Sequence, residues 1–193
     1  VSPIVFGSYG SGAQPIIDGS DVLSAGWTYS GRANVWQHSF SPSYVSHVWV
    51  FFNGVAGGPN GGNPQSSLGQ VTAPNQWYWN GSGILYVYST SNPATAYTNP
   101  GIEATSRAGV QANQQSYVTF QNLNVRKTSQ SCFDLYNLNH GTVSNSTTSY
   151  CGKKGIAFYG SSNFATVGSN IISYSAETGI SIGDSTYGHV YLN

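Results

Sequence analysis

The chain has 193 residues, enough for one sizeable domain or a domain with a large insertion, and its six basic and six acidic side chains give a formal net charge of zero. Only 6% of its residues are charged, against roughly 25% in an average soluble domain, so the clustered Lys and Arg that nucleic-acid binding requires are missing. No apolar run reaches the ~18–20 residues of a membrane span, and 14% aromatic residues argue against disorder.

Helical spacing is nearly absent, because Gly or Pro interrupts almost every stretch. In chain order, short strands are predicted at PIVF (3–6), PIID (15–18), HVWVFF (47–52), WYW (77–79) and ILYVYS (84–89). Trp77-Tyr78-Trp79, then Asn80-Gly81-Ser82-Gly83, then Ile84 to Tyr88 reads as a hairpin, with Asn-Gly supplying the positive φ angles of its turn. GGPNGG (57–62) reads as a flexible loop tip. Met is absent, which is expected of a processed or excised segment whose signal peptide has gone. Asn80-Gly81-Ser82 and Asn145-Ser146-Thr147 match the N-glycosylation pattern, a frequent chance match in a chain so rich in Asn and Ser.

From about residue 105 a repeat takes over. Gly109, Cys132, Gly155 and Gly179 stand 23, 23 and 24 residues apart. Val110, Phe133, Ile156 and Ile180 follow them, and Ala112, Leu135, Phe158 and Ile182 come two residues later. Phe120, Val143 and Val167 keep the same frame, as do Val125, Thr148 and Ile172. Period-two alternation with one constantly apolar face is a strand signal. A unit this short cannot bury its apolar face alone, so successive units are expected to stack as turns of a solenoid, ~4.8 Å apart, in parallel pairing. The glycines are expected to let the chain bend at corners. The competing fold, a β-sandwich with accidental spacing, would need regular hairpin turns, and 109–184 lacks them. The chain is thus read as all-β, with stacked coils over 105–193.

The repeat, the opening stretch Pro3-Ile4-Val5-Phe6 to Asp18-Gly19-Ser20 and the hairpin from Asn75 to Tyr88 resemble the right-handed parallel β-helix, or pectate-lyase-like, superfamily of secreted carbohydrate-active proteins. The likeness implies residues 1–26 as a first coil, 27–104 as an inserted antiparallel β-subdomain and 105–193 as further coils, in an extracellular protein that binds or degrades a polysaccharide, with a groove built from outward residues of neighbouring coils. Lyases of this group use a basic residue as proton acceptor, and hydrolases use two or three carboxylates.

The outward columns supply the candidates. Gln111, Asp134, Ala157 and Ser181 form one column; Asn113, Tyr136, Tyr159 and Gly183 form the next. Asp134, Asp184 and Lys153 are the candidate catalytic residues, and Tyr136, Tyr159, Arg126, Lys127, Trp77 and Trp79 the candidate substrate-binding ones. Lys153 and Glu177, 24 apart, are expected on adjacent coils as a surface ion pair, unless the lysine serves as a base. The Trp residues either stack on sugar rings or form the core of the inserted unit. The four His residues show no metal spacing, so no metal is predicted, although Asp18-Gly19-Ser20-Asp21 could contribute oxygens to calcium. Cys132 and Cys151 form one disulfide or pack as two buried thiols. A second function class stands beside the first: a structural or adhesive protein that self-associates through an open β-helix end, since His189 to Asn193 reads as the middle of a strand.

Overall fold

The structure is a computed structural model that describes residues 2–43, 47–57, 65–183 and 187–191. Its strands fall into two units, Val1–Gly19 with Arg107–Asn193, and Ser20–Ser106. The first unit is the predicted parallel solenoid. Each turn visits three sheets in order. The first sheet stacks Val110–Asn113, Phe133–Tyr136, Ile156–Tyr159 and Ile180–Ile182. The second stacks Ile4–Gly7, Val118–Gln121, Thr142–Ser144, Thr166–Gly168 and His189–Tyr191. The third stacks Ile16–Asp18, Asn124–Thr128, Thr147–Cys151 and Ile171–Ser175.

The sequence columns are the observed register. Val110 lies over Phe133, Phe133 over Ile156 and Ile156 over Ile180. Phe120, Val143 and Val167 stack likewise in the second sheet, and Val125, Thr148 and Ile172 in the third. Their inward side chains form one continuous core with Leu123, Leu138 and the two cysteines. Cys132 and Cys151 are joined as a disulfide, which ties the start of a coil to the end of its third strand.

The glycines at the coil starts work differently from expectation. Gly109, Gly155 and Gly179 show no left-handed φ; a Cβ on Gly109 would lie 2.1 Å from the Cys132 carbonyl oxygen, and one on Gly155 2.6 Å from that of Gly179. At Gly109 and Gly155 the stacked coils approach too closely for a side chain, whereas a Cβ on Gly179 would meet only ordinary contact. The bends fall instead at positive-φ positions in four columns, nearly all of them non-glycine: Gln114, Asn137 and Gly160; Tyr117, His140, Phe164 and Tyr187; Asn122, Asn145 and Ser169; Lys127, Tyr150 and Tyr174. In the second column the rings stack face to face, with centroids 4.5, 4.6 and 5.1 Å apart and planes within 9°. Left-handed backbone at a non-glycine residue costs on the order of 1–3 kcal/mol. Ring stacking at about 0.5–1.5 kcal/mol per pair offsets part of it.

Polar ladders pin the corners. Asn170 accepts from the Ser146 backbone N–H and donates to the Val143 carbonyl, at 3.0 Å each. The Asn137 and Asn139 side chains accept from the backbone N–H groups of Ser161 and Asn163, one coil on.

The second unit holds two four-stranded antiparallel sheets around a core that includes Trp27, Phe52, Trp77, Leu85 and Val87. Ser20–Val22, expected in the first coil, pairs instead with Ile102–Thr105 in this unit. Trp77–Trp79 pairs with Ile84–Tyr88 as the predicted hairpin. In its turn the positive φ angles belong to Gly81 and Gly83; Asn80 contributes its side-chain oxygen, which accepts from the backbone N–H groups of Ser82 and Ile84. The loop-tip sequence lies outside the described residues from position 58 onward.

Candidate functional site

The outward face of the first sheet gathers the polar chemistry of the solenoid. Asp134 sits at the second position of Phe133–Tyr136, over Gln111 and under Ala157. Since period-two alternation turns Phe133 and Leu135 inward, Asp134 and Tyr136 must point out. Tyr159, one coil on, donates its phenolic O–H to Asp134 Oδ1. The amide of Gln111, one coil before, donates to Oδ2 at 3.4 Å. Tyr136 lies beside Tyr159, with centroids 5.4 Å apart and rings tilted by 56°.

Two depressions meet at this pair. One, of about 380 Å³, is lined by Gln111, Ala112, Asn113, Asp134, Tyr136 and Tyr159. The other, of about 240 Å³, is lined by Gln130, Ser131, Asp134, Lys153, Lys154 and Tyr159. The backbone holds the lysine turn in place: Cys132 N–H donates to the Lys154 carbonyl at 3.0 Å, and Glu177 N–H to that of Lys153 at 2.8 Å. The disulfide fixes the same turn covalently, since Asp134 follows Cys132 and Lys153 follows Cys151 by two residues each.

Burial pushes the Asp134 carboxyl above its ordinary range, and the Gln111 hydrogen bond and the charges of Lys153 and Lys154 pull the other way. A carboxyl so poised, hydrogen-bonded to a phenol and near two ammonium groups, can take up or release a proton and can share an anionic ligand with the lysines. A larger opening of about 940 Å³, bounded by Ile4, Phe6, Ile17, Val110, Phe120 and others, has no carboxylate or cation in its lining. The carboxylate and the two lysines lie in the smaller pair.

A family model described as "Right handed beta helix region" matches residues 82–193, more than half of the chain. The chain belongs to the right-handed β-helix family. No curated protein matches it. The solved structure of XylC in complex with xylose resembles it at 13% sequence identity, with a TM-score of 0.45, over 83% of this chain and 43% of that one. The chain thus spans less than half of that protein's length.

Of the sequence candidates, this β-helix brings together Asp134, Tyr136, Tyr159 and Lys153. Arg126 lies on the third sheet, where its Nε meets the Asp18 carboxylate at 2.8 Å. Lys127 is buried at the left-handed corner after it. Asp184 lies outside the described residues. The assignment of Trp77 to ligand binding is corrected: it is 0% exposed in the core of the antiparallel unit, and its indole N–H donates to the Gly57 carbonyl. Trp79 packs against the same core, its indole N–H on the Phe40 carbonyl. Among the described residues, no three or more His, Cys, Asp or Glu side chains gather as metal ligands.

Lys154, Ser131 and Gln130 line the site without a signal in the sequence, whereas Gln111 stands in the outward column of Asp134 but not among the candidate site residues. Gln111 was recoverable, as it stands one repeat before Asp134 in the same column. Lys154 was not, because which of two adjacent lysines faces a sheet depends on the turn.

Proposed function

We propose that this β-helix is an extracellular polysaccharide-binding protein whose ligand carries an acidic group. One observation carries the reading: the aromatic, amide-lined depression and the two-lysine depression share Asp134 and Tyr159. A sugar ring lies against Tyr136, 42% exposed, and exchanges hydrogen bonds with Gln111 and Asn113. Its carboxylate or sulfate lies toward Lys153 and Lys154. The buried Cys132–Cys151 disulfide supports an oxidising compartment, and the low charge fits an exported protein.

Depolymerisation is the stronger form of the reading. Asp134 then exchanges the proton and Tyr159 orients it, in an elimination rather than a hydrolysis, since Asp134 is the only carboxylate among the residues lining the two depressions. The test is titration calorimetry with matched neutral and uronate-containing oligosaccharides. Tyr136→Ala should weaken binding of both about tenfold, taking stacking at ~1.4 kcal/mol. Lys153→Ala combined with Lys154→Ala should remove the preference for the acidic one. No binding of any acidic glycan at millimolar concentration would end the proposal. Loss of ultraviolet-absorbing unsaturated products on Asp134→Asn tests the catalytic form.

A separate observation favours a second reading, self-association of copies. Ile4, Phe6 and Ile17 leave apolar surface exposed around the opening beside Val110–Asn113. Under it, sedimentation velocity shows concentration-dependent growth that Phe6→Lys abolishes.

A further inference from the structure

Asp134 lines both depressions, and the groups around it can be named element by element. Tyr136 is the titratable neighbour on its own strand. The preceding strand offers the uncharged Gln111, and the following strand offers Tyr159. The turn after Cys151 brings Lys153 and Lys154, and the turn before Cys132 brings the uncharged Gln130 and Ser131. The basic depression therefore holds two cations and one carboxylate. An ionised Asp134 cancels half of that positive charge. A protonated Asp134 cancels none: its Oδ1 can still accept from Tyr159, and with the proton on Oδ2 the Gln111 amide, which donates there to the ionised form, turns to present its oxygen as acceptor.

We propose that Asp134 is a proton-operated counter-ion, which gives up the Lys153–Lys154 depression to the acidic group of a saccharide by taking up a proton. The idea rests on the saccharide reading of the same site and adds its regulation. Nothing covalent changes: one proton passes from solvent to Asp134 Oδ2 as one anionic group enters. Ionised Asp134 is the resident anion of the site, and the ligand's carboxylate replaces it. Burial supports this by pushing the Asp134 carboxyl above the ordinary value of about 3.9, so the exchange falls nearer neutrality than an exposed Asp would allow. Linkage then fixes the sign. Affinity rises as pH falls through the window of Asp134, and each bound anion takes up as much as one proton there.

The experiment is calorimetric titration of the protein and of Asp134→Asn with a uronic-acid trisaccharide, at about pH 7.5 and about pH 5, where the sugar is charged throughout. Each titration is run in two buffers of different ionisation enthalpy, which counts protons. The protein should bind ~3–10-fold more tightly at the lower pH, with net proton uptake, a size expected for one charge removed a few ångströms away in a partly screened site. Asp134→Asn should bind at both pH values as tightly as the protein does when acidic, without proton uptake. A variant that keeps the pH dependence, or a protein that binds without taking up protons, overturns the counter-ion while leaving the saccharide reading in place. Failure of both proteins to bind at either pH overturns the saccharide reading, and the counter-ion with it.

Discussion

The tryptophans of the antiparallel unit and the tyrosines of the solenoid are used in opposite ways. All five tryptophans lie between residues 27 and 79, in the antiparallel unit. Trp27, Trp49 and Trp77 are buried there. The indole N–H groups of Trp27, Trp36, Trp77 and Trp79 donate to the carbonyls of Leu23, Ser89, Gly57 and Phe40, so each ring fills volume and satisfies a buried acceptor at once. In the solenoid, tyrosines stand outside, ranked by the repeat: Tyr136 beside Tyr159 at the candidate site, Tyr150 on Tyr174, and Tyr117 heading the four-ring corner ladder. Aromatic enrichment alone therefore does not point to a ligand surface. Register does, because in a solenoid it decides which ring faces out and what stands above it.

The largest expected effect separates the two uses directly. Trp77→Ala should destabilise the antiparallel unit by about 3–5 kcal/mol through lost burial and an orphaned Gly57 carbonyl. Tyr136→Ala should cost less than ~1 kcal/mol, as expected of an exposed side chain. Urea unfolding of both variants, followed by circular dichroism, checks the pair. Equal losses would break the distinction.

The disulfide sharpens it at the next level, since the solenoid alone has one. Cys132→Ala with Cys151→Ala opens a loop of sequence separation 19, worth about 3 kcal/mol in the chain-entropy account. Tryptophan fluorescence reports the antiparallel unit only. The double variant should therefore lower the unfolding midpoint seen by far-ultraviolet circular dichroism more than the one seen by fluorescence. The same variant should weaken saccharide binding, because the Lys153–Lys154 turn loses its tie to the strand carrying Asp134.

Legibility followed the same divide. The coil period, the inward columns and the Asp134, Tyr136 and Tyr159 alignment could be read directly, because parallel stacking puts residues one period apart in contact. Corner geometry could not. Asn at 122, 137 and 145 is an ordinary left-handed residue, but Tyr117, Phe164 and Tyr187 carry no turn signal, and stacking with neighbouring coils overrides their preference. Trp77 was misplaced for a related reason: a strand of Trp-Tyr-Trp has two faces, and sequence alone does not say which one the second sheet covers.

The smallest effect tests the corner ladder itself. His140 has φ of 53° and is stacked between Tyr117 and Phe164. Replacing it with Ala removes both ring contacts and leaves a Cβ in the left-handed region. Replacing it with Gly removes the same contacts but relieves the backbone. Gly is ordinarily worse than Ala in a strand by roughly 0.5–1 kcal/mol. At position 140 the order should invert, with His140→Gly more stable than His140→Ala by about 0.5–1 kcal/mol in thermal or urea unfolding. At Thr142, inside the next strand, the ordinary order should hold. If Ala outranks Gly at both positions, residue 140 is not left-handed, the rings cannot stand one above another, and the contrast between a ranked exterior and a packed interior loses its clearest instance.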